Sequence, residues 1–158
     1  GAPSVIWGST INVFVAGTNG NLLQYSLPPG GTQWFPYTDE DTTALNGGVS
    51  AIQVGSSLDV FATGTNGHLY EVSNPGSGWQ TADCTYTDGT TLYTIQGGPS
   101  AVMTGSTLNV FAVGFNGELF QYSIQGGSWF PYTINSSTWL SGGVSAVLEG
   151  STLEVFGD

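Results

Sequence analysis

The chain has 158 residues and carries 11 acidic side chains against no lysine and no arginine, for a formal net charge of −11. Lys and Arg are what neutralise nucleic-acid phosphates and anionic lipid head groups, and Arg grips phosphate and sialic-acid ligands, so none of these is a suitable partner. The charge admits a neutral ligand or a cation.

From the N-terminus, "SVIWG" reads as a short strand ending in a Gly8-Ser9-Thr10 turn, and "INVFVAG" as the strand that returns. "TNG" then turns the chain into "NLLQYS", and Asn-Gly between apolar runs predicts a tight hairpin because both residues tolerate positive φ. "WFPYT" follows, and its central proline cannot donate to a ladder, which predicts an edge strand. Gly47-Gly48 closes the unit, and the order then restarts. "VFVAGTNGNLLQYS" at 13–26 recurs as "VFATGTNGHLYEVS" at 60–73 and "VFAVGFNGELFQYS" at 110–123, and "EVFGD" begins it again. Phe14, Phe61, Phe111 and Phe156 mark the repeats, spaced about 45 to 50 residues apart.

No segment carries a capped 3.6-residue period, so almost no helix is expected. A four-stranded repeat of this length, with strands apolar on both faces, predicts an all-β fold, a β-propeller of four-stranded antiparallel blades. A stacked solenoid is the second choice. The repeats run approximately 1–48, 49–98 and 99–143, with half of a fourth at 144–158. Such an arc does not close, so the ring is completed by further chains or by sequence outside this one. No run reaches the length of a membrane span, and no signal peptide is visible.

Groups that could do chemistry are sparse. His68 is the sole histidine, and Asn21 and Glu118 hold its place in the other units, which predicts a solvent-exposed turn residue. Cys84 is the sole cysteine and reads as a buried small hydrophobe rather than a nucleophile. Asp39, Glu40 and Asp41 crowd one loop, with Asp83 and Asp88 in the matching region of the second unit, but the third copy, "YTINSSTW", has no acid. This reads as a solvated acidic loop, or else a weak calcium site, since calcium wants several oxygens together. No metal or cofactor is expected. Asn135-Ser136-Ser137 is a glycosylation sequon.

Repeated aromatic and amide positions carry more. Trp34, Trp79 and Trp129 open the outer strand, and Tyr25 and Tyr122 share a third-strand position where the second unit has Val72. Gln24, Glu71 and Gln121 repeat in the same strand, while Asn12, Asp59, Asn109 and Glu154 repeat just before the Val-Phe pair. Aromatic faces stack on the C–H face of a sugar, and amides and carboxylates bind its hydroxyls. A repeated tryptophan equally fills the gap between blades.

With "LDVFATGTNGHLYEVS…GW" and "GGPSAV" opening the next unit, the chain resembles the bacterial and fungal fucose-type propeller lectins and, more distantly, the tectonin and tachylectin propellers. The resemblance implies non-catalytic, multivalent binding of monosaccharides between adjacent blades near the rim. By position it points to Trp34, Trp79 and Trp129 and their neighbours. Many fungal members hold fucose with an arginine, which this chain lacks, so a fucose site of that kind is absent. The expected function is that of a secreted lectin for neutral glycans or glycoconjugates. The alternatives are a protein-interaction scaffold or a fragment of a glycan-cleaving enzyme working through Asp39 and Asp41.

Overall fold

The structure is a computed structural model that describes residues 3–39, 44–125, 128–135 and 139–158, apart from the side chains of Asp39, Gln125 and Asn135. Fourteen strands and no helix occur among the described residues. The first sheet joins β1 (Ser4–Trp7), β2 (Thr10–Ala16), β3 (Leu22–Leu27) and β4 (Phe35–Asp39) in sequence order. The second joins β5 (Leu45–Val54), β6 (Ser57–Gly64), β7 (Leu69–Asn74) and β8 (Gln80–Asp83). The third joins β9 (Ile95–Thr104), β10 (Thr107–Gly114), β11 (Leu119–Gln125) and β12 (Ser128–Asn135). A last pair is β13 (Val144–Glu149) with β14 (Thr152–Gly157). All pairings are antiparallel, so each four-stranded sheet is a meander and one propeller blade, and the last pair is the inner half of another.

Turn chemistry explains why the strands fold back where they do. The first turn of each blade is a two-residue loop, as in Val54↔Ser57 around Gly55-Ser56, and Gly8, Gly55, Gly105 and Gly150 all sit at φ of 61 to 64°. A positive first residue followed by a negative one matches the right-handed twist of the strands it joins. The Asn-Gly turns differ from expectation. Only the glycine takes positive φ, at 85° for Gly20 and 78° for Gly67 and Gly117, and among the described residues no other residue type does. The asparagine works through its side chain instead: Asn19, Asn66 and Asn116 each accept the N–H of the residue two places on, at 3.1 to 3.2 Å. The prolines obey the edge rule, since Pro36 and Pro131 lie in β4 and β12, the outermost strands of their blades.

Blades pack face to face. One core joins Phe14 and Leu22 of the first blade to Val60, Ala62 and Val72 of the second. The next joins Phe61 and Leu69 to Val110, Ala112 and Tyr122. A third sets Phe111 and Val113 against Val144, Leu153 and Val155. Each central strand therefore feeds two seams with alternate residues, which is why β6 and β10 are buried over nearly their whole length. The first strands converge most closely. A Cβ built on Gly98 would stand 2.9 Å from the Gly48 Cα, so this approach tolerates only glycine. The double glycines thus lie within or beside the inner strand of the next blade, at a register shift in β5 and β9, rather than ending a unit. Buried serines tie the inner strands together: Ala101 N–H donates to Ser50 Oγ at 3.0 Å and Ala146 N–H to Ser100 Oγ at 2.9 Å.

Candidate functional site

The seams hold the repeated aromatics. Trp79 meets Phe14 edge-to-face with ring centroids 5.8 Å apart, and Trp129 meets Phe61 in the same way at 5.6 Å. Each pair crosses from one blade to the next, so both tryptophans hold the seam together as well as lining it. Trp34, at the same position in the first blade, is 42% exposed, with no described blade before it to pack on.

Behind the phenylalanines lies a row of polar side chains on the same face. In the first blade Gln24 Nε2 donates to Asn12 Oδ1 at 2.9 Å and to Ser26 Oγ at 3.0 Å, and Ser26 Oγ donates to Asn12 Oδ1 at 2.7 Å. In the third, Gln121 Nε2 donates to Asn109 Oδ1 at 2.7 Å, and Asn109 Nδ2 to Thr104 Oγ1 at 2.7 Å. The second blade puts carboxylates in both places. Asp59 is only 5% exposed and accepts from Ser57 Oγ at 2.5 Å. Glu71 is half-buried, accepts from the Trp129 indole N–H, and has the Cys84 thiol 3.8 Å away. Burial pushes both carboxyls above their usual range, and the nearby negative Asp59 raises Glu71 further.

Glu71 and Trp129 open onto a cleft of about 650 Å³ between the second and third blades, which Asp83, Cys84, Tyr86 and Phe130 also line. Tyr86 packs on Phe130 at 4.9 Å, and both rings line this cleft along with Trp129. Asp83 is held by His68 Nδ1 at 2.7 Å. Burial raises its carboxyl, but hydrogen bonds from His68 and Thr85 outweigh that and bring it below the ordinary range. A smaller hollow of about 380 Å³ lies on the corresponding face of the first blade, where Asn12, Gln24 and Ser26 meet Trp7, Phe35 and Tyr37.

The predicted residues therefore divide. Gln24, Glu71 and Gln121 share a register position, and Glu71 with Trp129 meets at one cleft. Tyr122 is 0% exposed, with its hydroxyl donating to the Tyr93 carbonyl at 3.3 Å and burial raising its pKa, so it is a seam residue that no ligand reaches. Tyr25 is 38% exposed and alternates to the opposite face from Gln24, on the uncovered side of the first blade with Ile11 and Val15. Their closeness in sequence does not make one site. His68 is half-buried, stacked on Tyr70 with centroids 6.1 Å apart and bound to Asp83, rather than a free turn residue. Cys84 is buried, and burial with the nearby Glu71 charge pushes its thiol pKa up, which suits a small hydrophobe.

Sequence reasoning missed Tyr86, although its Tyr-Thr-Asp repeats that at 37–39, and Phe130, whose pairing with it only the fold displays. Asp88 caps its own loop, accepting from the Thr91 and Thr90 N–H groups, which holds it at about 2. Glu40 and Asp41, the Asp39 side chain, and the sequon from the Asn135 side chain through Ser137 lie outside the described residues. Among the described residues no three His, Cys, Asp or Glu side chains cluster to hold a metal.

Solved structures match this arrangement. In fold, the chain is similar to the fucose-binding β-propeller lectins. A fucose lectin from Kordia zhangzhouensis, in complex with methyl-fucoside, superposes with TM-score 0.58 at 18% identity over 82% of this chain and 97% of that one. The Aleuria aurantia lectin, in a form bound to α-methyl-L-fucoside, gives 0.65 at 18% identity over 94% of this chain and 49% of its own. SapL1, in complex with α-methyl fucoside, gives 0.66 at 15% identity over 98% and 54%. The Aleuria lectin is a six-bladed propeller, and the chain spans about half the length of that lectin and of SapL1. No sequence-family model matches the chain, and no curated protein matches it in sequence.

Proposed function

We propose that the chain is a lectin, or the corresponding part of one, that holds neutral glycans or glycoconjugates between neighbouring blades without cleaving them. The observation that carries this reading is the cleft that Trp129, hydrogen-bonded to Glu71, lines together with the packed Tyr86 and Phe130 rings. An indole beside a carboxylate suits a sugar ring, with C–H groups on the aromatic surface and hydroxyls donating to oxygen. The neighbours in fold that carry methyl-fucoside support the class of ligand. Binding rather than cleavage is favoured because each carboxylate lining the cleft is already engaged, Glu71 by the indole and Asp83 by His68.

Repeated seams give more than one weak site, and a ring completed by further chains or further sequence multiplies them into avidity. An extracellular setting, where glycans are displayed, fits this role. The test is a glycan array with the intact chain and with Trp129→Ala, each checked for folding by its thermal midpoint. Binding of a neutral glycan that the variant loses is the expected result. Absence of binding to every glycan, neutral or amino, refutes the reading.

A further inference from the structure

We infer that the cleft between the second and third blades selects a sugar bearing a free, protonated amine, a 2-amino-2-deoxyhexose rather than its N-acetylated form, and that Glu71 sets this preference. The inference rests on the glycan-binding reading of that cleft.

The argument starts from a mismatch between equivalent positions. In the first and third blades the polar pair is amide to amide, donor to acceptor, closed at 2.9 and 2.7 Å. The second blade replaces both members with carboxylates at the same two register positions, Asp59 and Glu71. Ionised carboxylates only accept, so this pair cannot close on itself as the amide pairs do.

The donors that reach the two acids are the Ser57 hydroxyl on Asp59, and the Trp129 indole and weak Cys84 thiol on Glu71. All three are uncharged. The chain has no lysine or arginine to compensate the charge, and its single histidine is engaged with Asp83. Glu71 and Asp83 therefore line the cleft with Asp59 close behind, and burial makes a negative charge there costly to leave without a counter-charge.

An ammonium group supplies what is missing, three donors and a positive charge, at a place walled by aromatic rings. Trp129 and the Tyr86–Phe130 pair offer π faces that attract a cation while stacking on the sugar's apolar side. N-acetylation removes the charge and leaves one amide donor. The first-blade hollow, whose Asn12–Gln24–Ser26 network is neutral and self-satisfied, has no reason to discriminate.

Calorimetric titration of the full chain with the disaccharide of glucosamine and with its di-N-acetylated counterpart tests this. The amine is expected to bind at least about tenfold more tightly, a preference that weakens with salt. Glu71→Gln, which installs the residue found in the two neighbouring blades and so suits the fold, should erase the difference. Equal affinity for the two sugars, or a preference that survives Glu71→Gln as a response to net charge would, overturns the inference while leaving the lectin reading intact if neutral glycans bind. If no sugar binds at all, the lectin reading falls and this inference falls with it.

Discussion

Truncating Phe61 to alanine tests the seam directly. Its ring is 0% exposed, enclosed by Val110, Ala112 and Tyr122 of the next blade, and it meets Trp129 edge-to-face at 5.6 Å. Removing a buried phenylalanine costs about 3–5 kcal/mol in lost burial and cavity formation. Of this, about 0.5–1.5 kcal/mol belongs to the aromatic pair beyond its area. Domains are typically stable by about 5–15 kcal/mol, so the variant should remain folded but much weakened. With a urea slope of about 2 kcal/mol per molar, the midpoint should fall by about 2 M at unchanged slope. A double-mutant cycle with Trp129→Ala should return a coupling of about 0.5–1.5 kcal/mol. A loss below about 1 kcal/mol, or zero coupling, would mean that the two sheets are not wedged together through this pair.

Three further outcomes follow from the same geometry. Gly98→Ala should cost about 1–3 kcal/mol by thermal or urea unfolding, because its Cβ meets Gly48 backbone at 2.9 to 3.2 Å and neither strand can yield without opening the axis; a neutral effect contradicts this. Ser100→Ala leaves the Ala146 N–H without its 2.9 Å acceptor and should cost about 1–3 kcal/mol, measured the same way. Asp59 and Glu71 have raised pKa values, so the native state holds protons that the unfolded chain has lost, and stability falls as pH rises through and above the ordinary carboxylate range. The pair Asp59→Asn with Glu71→Gln removes that penalty, so the variant's advantage in thermal midpoint should grow from about pH 4 to about pH 7. Asp83 and Asp88, whose pKa values are lowered, act in the opposite sense at lower pH, but they are common to both proteins and cancel in the difference. A pH-independent difference would contradict the placement of the two acids.

The blade was legible because its signals are local. Glycines at fixed turn positions, strand prolines confined to the edges of their sheets and an alternation that fails in the central strand each reflect backbone chemistry within one repeat. The site was less legible because it is made between repeats. Trp129 could be singled out by recurrence, but its partner Phe61 and its acceptor Glu71 lie about 60 residues away, on the preceding blade. Tyr25 and Gln24 looked like one cluster only because adjacent strand residues are neighbours in sequence while facing opposite ways. The Asn-Gly turns were placed correctly for an incomplete reason, since the asparagine contributes a side-chain acceptor rather than a positive φ. Asp59 and Glu71 stood in plain view as members of repeated columns, and their departure from the amides of the other blades gained meaning only when the fold put them on one face.

The most direct measurement is nitrogen-15 NMR of the five tryptophan indoles during titration with a neutral sugar that the array identifies. The Trp129 Nε1–H, which donates to Glu71 at the cleft, should shift progressively and saturate, while that of Trp139, 84% exposed and against Gly117 away from the cleft, stays still. Saturable binding that leaves the Trp129 resonance unmoved would contradict the account.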